Sequence, residues 1–455
     1  EKSMGGAQKQ LKKIALHLAQ QGHTITILCT RRPDAREPFN WHDNAQIIPI
    51  FRFKQPYPEP YFTPVYNIAN AIQDLGEYLQ DADRYYSHDG GLIFPYIYQD
   101  VPSVISLRSI LFAETLQSGF LFQGHKLILP SEHTRQAYLH TVGRFFPELE
   151  KRTQVIHNGF DWDVYKPTRP TEELKAIIPF DENHDYILYP HRPEEAKGIH
   201  QSIDVLDKLV NRYHQHQVRL LAPRWLDAGV APELKAFYQQ LEQSIAQRGL
   251  TDYVIYHDWI DDWLITQYYS LGTVTLALGS YVETFGNTIH ESLGCGTPVI
   301  MSRVGPYRDL IPDAEKVSYG DTESAAAIAY DIIRKKERTP VHLRDYLKTH
   351  FSLEQMVMTF TNAILNADKP TPLEYKFRQI DEETKFQLAP WCDFSHHLGI
   401  YHDFRAEHND DDALMKLVSS YPEDATFTRA RALGISRQTM MNWYRAGYLV
   451  PMMSH

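Results

Sequence analysis

Four side chains in this sequence have types and spacings suited to chemistry: Arg192, Lys197, Glu283 and Glu291. The two glutamates bound the stretch ETFGNTIHE, residues 283–291. Gly286 and Asn287 break a strand-like pattern, and Ile289 and Leu293 then open a helical spacing. Glu283 therefore falls in a loop before a helix, and Glu291 about one turn inside it. Backbone N–H groups at a helix start point outward with partial positive charge. Residues Phe285, Gly286, Asn287 and Thr288 could thus hold a phosphate or a sugar hydroxyl. Carboxylates only accept hydrogen bonds, so one glutamate suits a sugar and the other a ribose diol. Arg192 and Lys197 lie in YPHRPEEAKG, residues 189–198, a strand-to-helix loop ending in Gly198. A departing diphosphate needs positive charge as its bond breaks. Arginine offers a planar fork for it and lysine a point charge, together able to stand in for a metal ion. Two isolated glutamates would describe no more than a solvated helix start, and the arginine and lysine alone could be a solvated basic loop.

The elements that must position them follow from the hydrophobic pattern. Leu11, Ile14, Ala15 and Leu18 sit at helical spacing, and Gly22 ends that helix. Apolar runs at 23–30, 46–50, 84–87, 103–107, 126–129 and 153–156 read as strands. Residues 161–185, with Pro167, Pro170 and Pro179, read as a linker. The alternation restarts with strands at 186–189, 218–222, 253–257, 273–278 and 298–302. The fold class predicted is α/β: two Rossmann-like domains facing a cleft, plus a small, mainly helical C-terminal module. The boundaries expected are 1–165, 166–351, a closing helix at 352–366, and a module at 367–455.

Bulk composition narrows the class. The chain has 455 residues, too many for a single core. Its net charge of -11 argues against bulk nucleic-acid binding. No apolar run reaches the length of a membrane span, and no secretory signal opens the sequence. Cys29, Cys295 and Cys392 are sparse and lack metal-ligand spacing. The expectation is a cytoplasmic protein, or one peripheral to a membrane, with no metal and no cofactor.

The glutamate segment resembles the E-x7-E signature of family-four glycosyltransferases, retaining enzymes of GT-B fold. GCGTPVI at 294–300 resembles the turn and strand that follow it in that family, although Asp309 stands where the family often has a glutamate. Arg192 and Lys197 correspond to the family's phosphate-contacting pair. The stretch from Asn158 and Gly159 through Asp161 and Tyr165 to Pro167 resembles the family's domain junction. The resemblance covers roughly residues 3–366. It implies a nucleoside-diphosphate-sugar donor, UDP- or GDP-linked, held mainly by the second domain. It implies transfer to an acceptor hydroxyl on a glycan, a lipid-linked sugar or a small molecule. The donor is a substrate, and Arg192, Lys197 and Glu283 would be the catalytic residues.

Gly5 and Gly6 resemble the family's paired-glycine loop, which borders the donor phosphates. The strand that precedes this loop in the family is absent from the sequence. His88 and Asp89 resemble a His-Asp segment of related synthases and are acceptor-side candidates. Arg108 is a third, standing where the family often has a histidine. Residues 51–62 are aromatic, proline-rich and lightly basic, suited to a rigid packed loop, an acceptor cradle or a membrane contact. Residues 427–449 resemble a helix-turn-helix, with Gly434 in the turn and Ser436 capping a helix that carries Arg437, Gln438, Asn442 and Arg445. That pattern fits packing on the enzyme, self-association or DNA contact. Two further readings stand beside glycosyl transfer: a sugar-nucleotide-binding, DNA-associated regulator, and a GT-B epimerase or phosphorylase.

Overall fold

The computed structural model describes residues 6–31, 36–52, 65–90, 94–191, 194–224 and 232–452. The chain divides into two compact units. One comprises Glu1–Gly159, Leu353–Thr384 and Pro451–His455; the other comprises Phe160–Ser352 and Lys385–Val450.

In the first unit, helix Gly6–Gln20 precedes strands β1 (Ile25–Thr30), β2 (Phe39–His42) and β3 (Ala45–Phe51). β1 and β3 pair in parallel, and β2 adds antiparallel to β3. Strands β4 (Tyr85–His88), β5 (Ser103–Ser106), β6 (Lys126–Leu129) and β7 (Thr153–Val155) form a parallel sheet in chain order. β5 is buried at all four positions, which suits a short apolar run with helices on both faces. Helix Leu353–Leu365 returns to this unit. Its Met356, Val357, Phe360 and Ile364 share a core with Ile14, Leu18, Val104 and Ile128.

The second unit holds one six-stranded parallel sheet: β8 (Asp185–Leu188), β9 (Val218–Pro223), β10 (Val254–His257), β11 (Val274–Ala277), β12 (Val299–Ser302) and β13 (Glu315–Val317). Across the sheet the order is β10-β9-β8-β11-β12-β13. Counted within the unit this is 3-2-1-4-5-6, the Rossmann order. It reverses between β8 and β11, and ligands of such sheets bind beyond the carboxyl ends of the strands at that reversal. The stretch read as a linker contains a short helix, Glu172–Ile177, whose Leu174 is fully buried.

The same unit includes residues from the C-terminal module. Strands Cys392–Ser395, Gly399–His402 and Glu407–Asn409 form an antiparallel sheet. Helices Phe427–Ala432 and Arg437–Arg445 follow, joined through Gly434 at φ +78°. Ser436 caps the second helix by accepting from the Thr439 N–H. The module also holds helix Asp412–Ser420; helix was expected here and the small antiparallel sheet was not.

Candidate functional site

The site of the second unit is built on two loops, one after β8 and one after β11. After β8 the chain makes a tight turn, Glu195–Lys197, and leaves it through Gly198 at φ +88°. A Cβ on Gly198 would stand 2.5 Å from the Gly279 nitrogen, and one on Gly279 would stand 2.3 Å from the Ala196 oxygen. Glycine at both positions lets the two backbones touch. The Tyr281 N–H then donates to the Ala196 carbonyl at 2.9 Å.

This close approach delivers Lys197 to Glu283. Lys197 Nζ lies 2.7 Å from Glu283 Oε1 and 3.4 Å from the centre of the Tyr281 ring. The lysine side chain is 15% exposed and the glutamate 30%, so the pair is reachable from solvent. Both line a small open pocket with His191, Gly279, Tyr281 and Tyr307. His191 donates from Nε2 to the Leu276 carbonyl at 3.2 Å. Burial, and then the Lys197 charge, push its pKa down to about 4, so the ring is neutral near pH 7.

Beyond Glu283 the chain turns through Gly286 at φ +84° into helix Asn287–Gly294. The Phe285 ring is buried and stacks on His290, with centroids 4.3 Å apart. Its side chain is core, so any ligand contact at Phe285 falls to its backbone. A Cβ on Gly286 would stand 2.3 Å from Tyr307 Cε1, so Tyr307 packs against the turn that opens the helix. Asn287 and Thr288 are partly buried in its first turn.

Glu291 does not line the pocket. Its Oε1 accepts from the Tyr165 hydroxyl at 3.2 Å and its Oε2 from the Tyr269 hydroxyl at 3.1 Å. Burial first, and the carboxylate second, raise both phenol pKa values, so both remain donors. Arg192 lies outside the described residues, as do Gly5 and most of the aromatic, proline-rich segment.

In the first unit, Gly6 is the first residue of its helix. His88 is half-buried at the end of β4. Its Nδ1 accepts from the Tyr86 hydroxyl at 2.6 Å, and its Nε2 donates to the Ala7 carbonyl at 2.9 Å. Burial, helped by the Arg108 charge, pushes its pKa down to about 3. Asp89 is exposed at φ +72°, an uncommon conformation outside glycine. Arg108 donates to Gln10 Oε1 and Asn158 Oδ1. The structure thus sets His88 and Arg108 against the first turns of the first helix, and Asp89 follows His88 just past the end of β4.

Sequence reasoning missed His191, Gly279, Tyr281 and Tyr307. A signal existed for two of them. His191 adjoins Arg192, and Gly279 falls just past the end of a strand at a position where only a bare backbone fits.

A Rossmann-order sheet with a lysine–glutamate pair at its reversal, in a chain whose other unit is also α/β with a parallel sheet, fits the GT-B class of glycosyltransferase scaffolds. Residues 4–164 match the family model "Glycosyltransferase Family 4". Residues 170–348 match "Glycosyl transferases group 1". The chain belongs to the family-four glycosyltransferases. It is 26% identical over 167 residues to D-inositol 3-phosphate glycosyltransferase of Xylanimonas cellulosilytica, covering 36% of this chain and 37% of that protein. The match thus spans little more than a third of that relative's length. Among solved structures, sucrose-phosphate synthase from Thermosynechococcus elongatus superposes with a TM-score of 0.61 at 17% identity, over 79% of this chain and 92% of that one. Anabaena Alr3699/HepE in complex with UDP-glucose superposes with a TM-score of 0.57 at 20% identity, over 80% and 96%. No helix among the described residues is long and apolar enough to cross a membrane.

Proposed function

We propose that this chain is a retaining glycosyltransferase that moves a sugar from a nucleoside-diphosphate-sugar donor to an acceptor hydroxyl. The observation that carries the reading is the Lys197–Glu283 pair, partly buried yet reachable from solvent ahead of a helix start where the sheet order reverses. In this reading Lys197, with Arg192, neutralises the diphosphate as the glycosidic bond to it breaks. Backbone N–H groups of Gly286, Asn287 and Thr288 hold phosphate or sugar oxygens. Glu283 orients the sugar through its hydroxyls. The acceptor oxygen attacks on the face the phosphate leaves, and the leaving phosphate takes the acceptor's proton, so the reaction needs neither a protein base nor a metal ion.

Glu291 is assigned to the ribose, with Tyr165 and Tyr269 holding its carboxylate in place. The bound UDP-glucose of Alr3699/HepE makes a uridine nucleotide the first donor to try. The acceptor is assigned to the first unit, where His88 and Arg108 are bonded into the fold and Asp89 is exposed. The test is release of nucleoside diphosphate across a panel of UDP- and GDP-sugars, by wild type and by Glu283→Ala. Wild type is expected to turn over one donor, and the variant to lose most of that rate. Equal turnover would remove Glu283 from the mechanism.

A further inference from the structure

The loop that presents Tyr307 to the pocket is gripped from behind by the C-terminal module. After β12 the chain makes a short turn, Gly305–Arg308. The Gly305 N–H donates to Asp403 Oδ2 at 3.1 Å. Arg308 Nη1 donates to the same oxygen at 3.0 Å, and its Nη2 to Asp403 Oδ1. The Asp403 side chain is 0% exposed and that of Arg308 is 7%. Asp393 adds a second carboxylate, 3.7 Å from Arg308 Nε and 3.1 Å from Arg303 Nε. Further along, His408 Nε2 donates to the Tyr319 carbonyl, and the Tyr319 and Tyr401 rings lie 4.8 Å apart.

These contacts share one logic. A bidentate carboxylate–guanidinium pair fixes orientation as well as distance. Asp403 ties that pair to a backbone N–H of the same turn, so both ends of the four-residue turn are held by one side chain. Between those ends sits Tyr307, buried, with its ring against Gly286. Gly286 opens the helix that follows Glu283. A chain of direct contacts therefore runs from the module to the turn and from the turn to the Glu283 segment.

We infer that the module of residues 385–450 is a brace for the donor loop, and that Asp403 is a positioning residue that sets Tyr307 against the Glu283–Thr288 segment. The inference rests on the donor-site reading above. It gives the module a role within the enzyme, and its helix pair need touch no other molecule for that role.

The test uses the full chain. Asp403→Asn strips the charge from a buried pair and leaves Arg308 without its main counter-ion, which could unfold the protein. The companion variant Asp403→Leu with Arg308→Met removes both charges together, a change buried pairs often tolerate. Hydrogen exchange is followed at residues 283–288 and 305–308, with the β8 and β9 amides as the internal control. Donor KM and kcat are measured alongside. The expected result is faster exchange at both loops, unchanged exchange in β8 and β9, and a donor KM raised about tenfold or more with a smaller change in kcat. Unchanged loop exchange, or unchanged donor KM in a folded double variant, would overturn the brace. A general fall in protection, β8 and β9 included, would overturn it too, because Asp403 would then serve only stability. Wild type that turns over no nucleotide sugar would instead sink the donor reading and the purpose given to the brace, while loop exchange would still decide whether the brace exists.

Discussion

The Lys197–Glu283 cluster of one unit and the His88–Arg108 cluster of the other invite comparison. Each stands where a parallel strand ends, and each joins a cation to polar partners. They differ in how much of their bonding capacity the fold consumes. His88 has one ring nitrogen committed to Tyr86 and the other to Ala7, and Arg108 is committed to Gln10 and Asn158. Lys197 and Glu283 meet each other and face an open pocket. An ion pair of that kind can exchange its partner for a ligand at modest cost, whereas a half-buried imidazole with both ring nitrogens bonded gives up two hydrogen bonds to do so. The comparison teaches that residue type at a strand end nominates a site, and uncommitted bonding capacity distinguishes a working site from a structural one.

The largest effect that would sharpen the contrast is expected at Lys197. Lys197→Ala should lower kcat/KM for the donor by about a hundredfold to a thousandfold, as loss of one leaving-group stabiliser does elsewhere. Its thermal midpoint should move little, because a solvent-reachable pair contributes about 1 kcal/mol or less to folding. Steady-state kinetics beside a thermal melt read both. A large drop in melting temperature with an intact kcat/KM would make Lys197 structural and erase the difference between the clusters.

Most of the architecture was readable because its strands are buried runs. β5, β8, β11 and β12 are each buried at every position, and such runs stand out between amphipathic helices. β2 escaped because it is an exposed edge strand carrying Asn40 and His42. β13 escaped because it has three residues, two of them charged. Helix Glu172–Ile177 was hidden between the prolines at 170 and 179, which read as loop. Within the site, the types and loops of Lys197 and Glu283 were legible. Their 2.7 Å contact was not, because it depends on Gly198 and Gly279 letting two loops touch. The grip of Asp403 on Arg308 was beyond reach for a related reason: 95 residues separate the partners, and no local pattern joins them.

A moderate effect is expected where those loops touch. Gly279→Ala puts a Cβ against the Ala196 carbonyl, a backbone atom that can yield only by moving the Lys197 turn. Stability should fall by about 1–3 kcal/mol, the usual cost of overpacking. Donor KM should rise as Lys197 is displaced from Glu283. Urea melts and donor kinetics on one preparation test both. A variant that loses stability yet keeps its KM would show that the pair tolerates the shift and that the glycine contact is only packing.

The smallest effect is expected at His88, and it tests whether that ring is held as part of the fold. The folded imidazole has a pKa near 3, below the roughly 6.5 of the unfolded chain. As pH falls below about 6.5 the unfolded state takes up a proton that the folded ring refuses until about pH 3. The stabilising contribution is therefore whole above pH 6.5 and drains away as pH falls toward 3. For a half-buried ring the loss between pH 7 and pH 5 should be about 1 kcal/mol. His88→Gln should lack that loss, so its urea stability should be the less pH-dependent of the two. His191, with a pKa near 4, slopes in the same direction in both proteins and cancels from the difference. A variant that keeps the wild-type pH slope but loses turnover at neutral pH would reverse the assignment. His88 would then be meeting the acceptor, and its bonds to Tyr86 and Ala7 would be a resting state that the acceptor displaces.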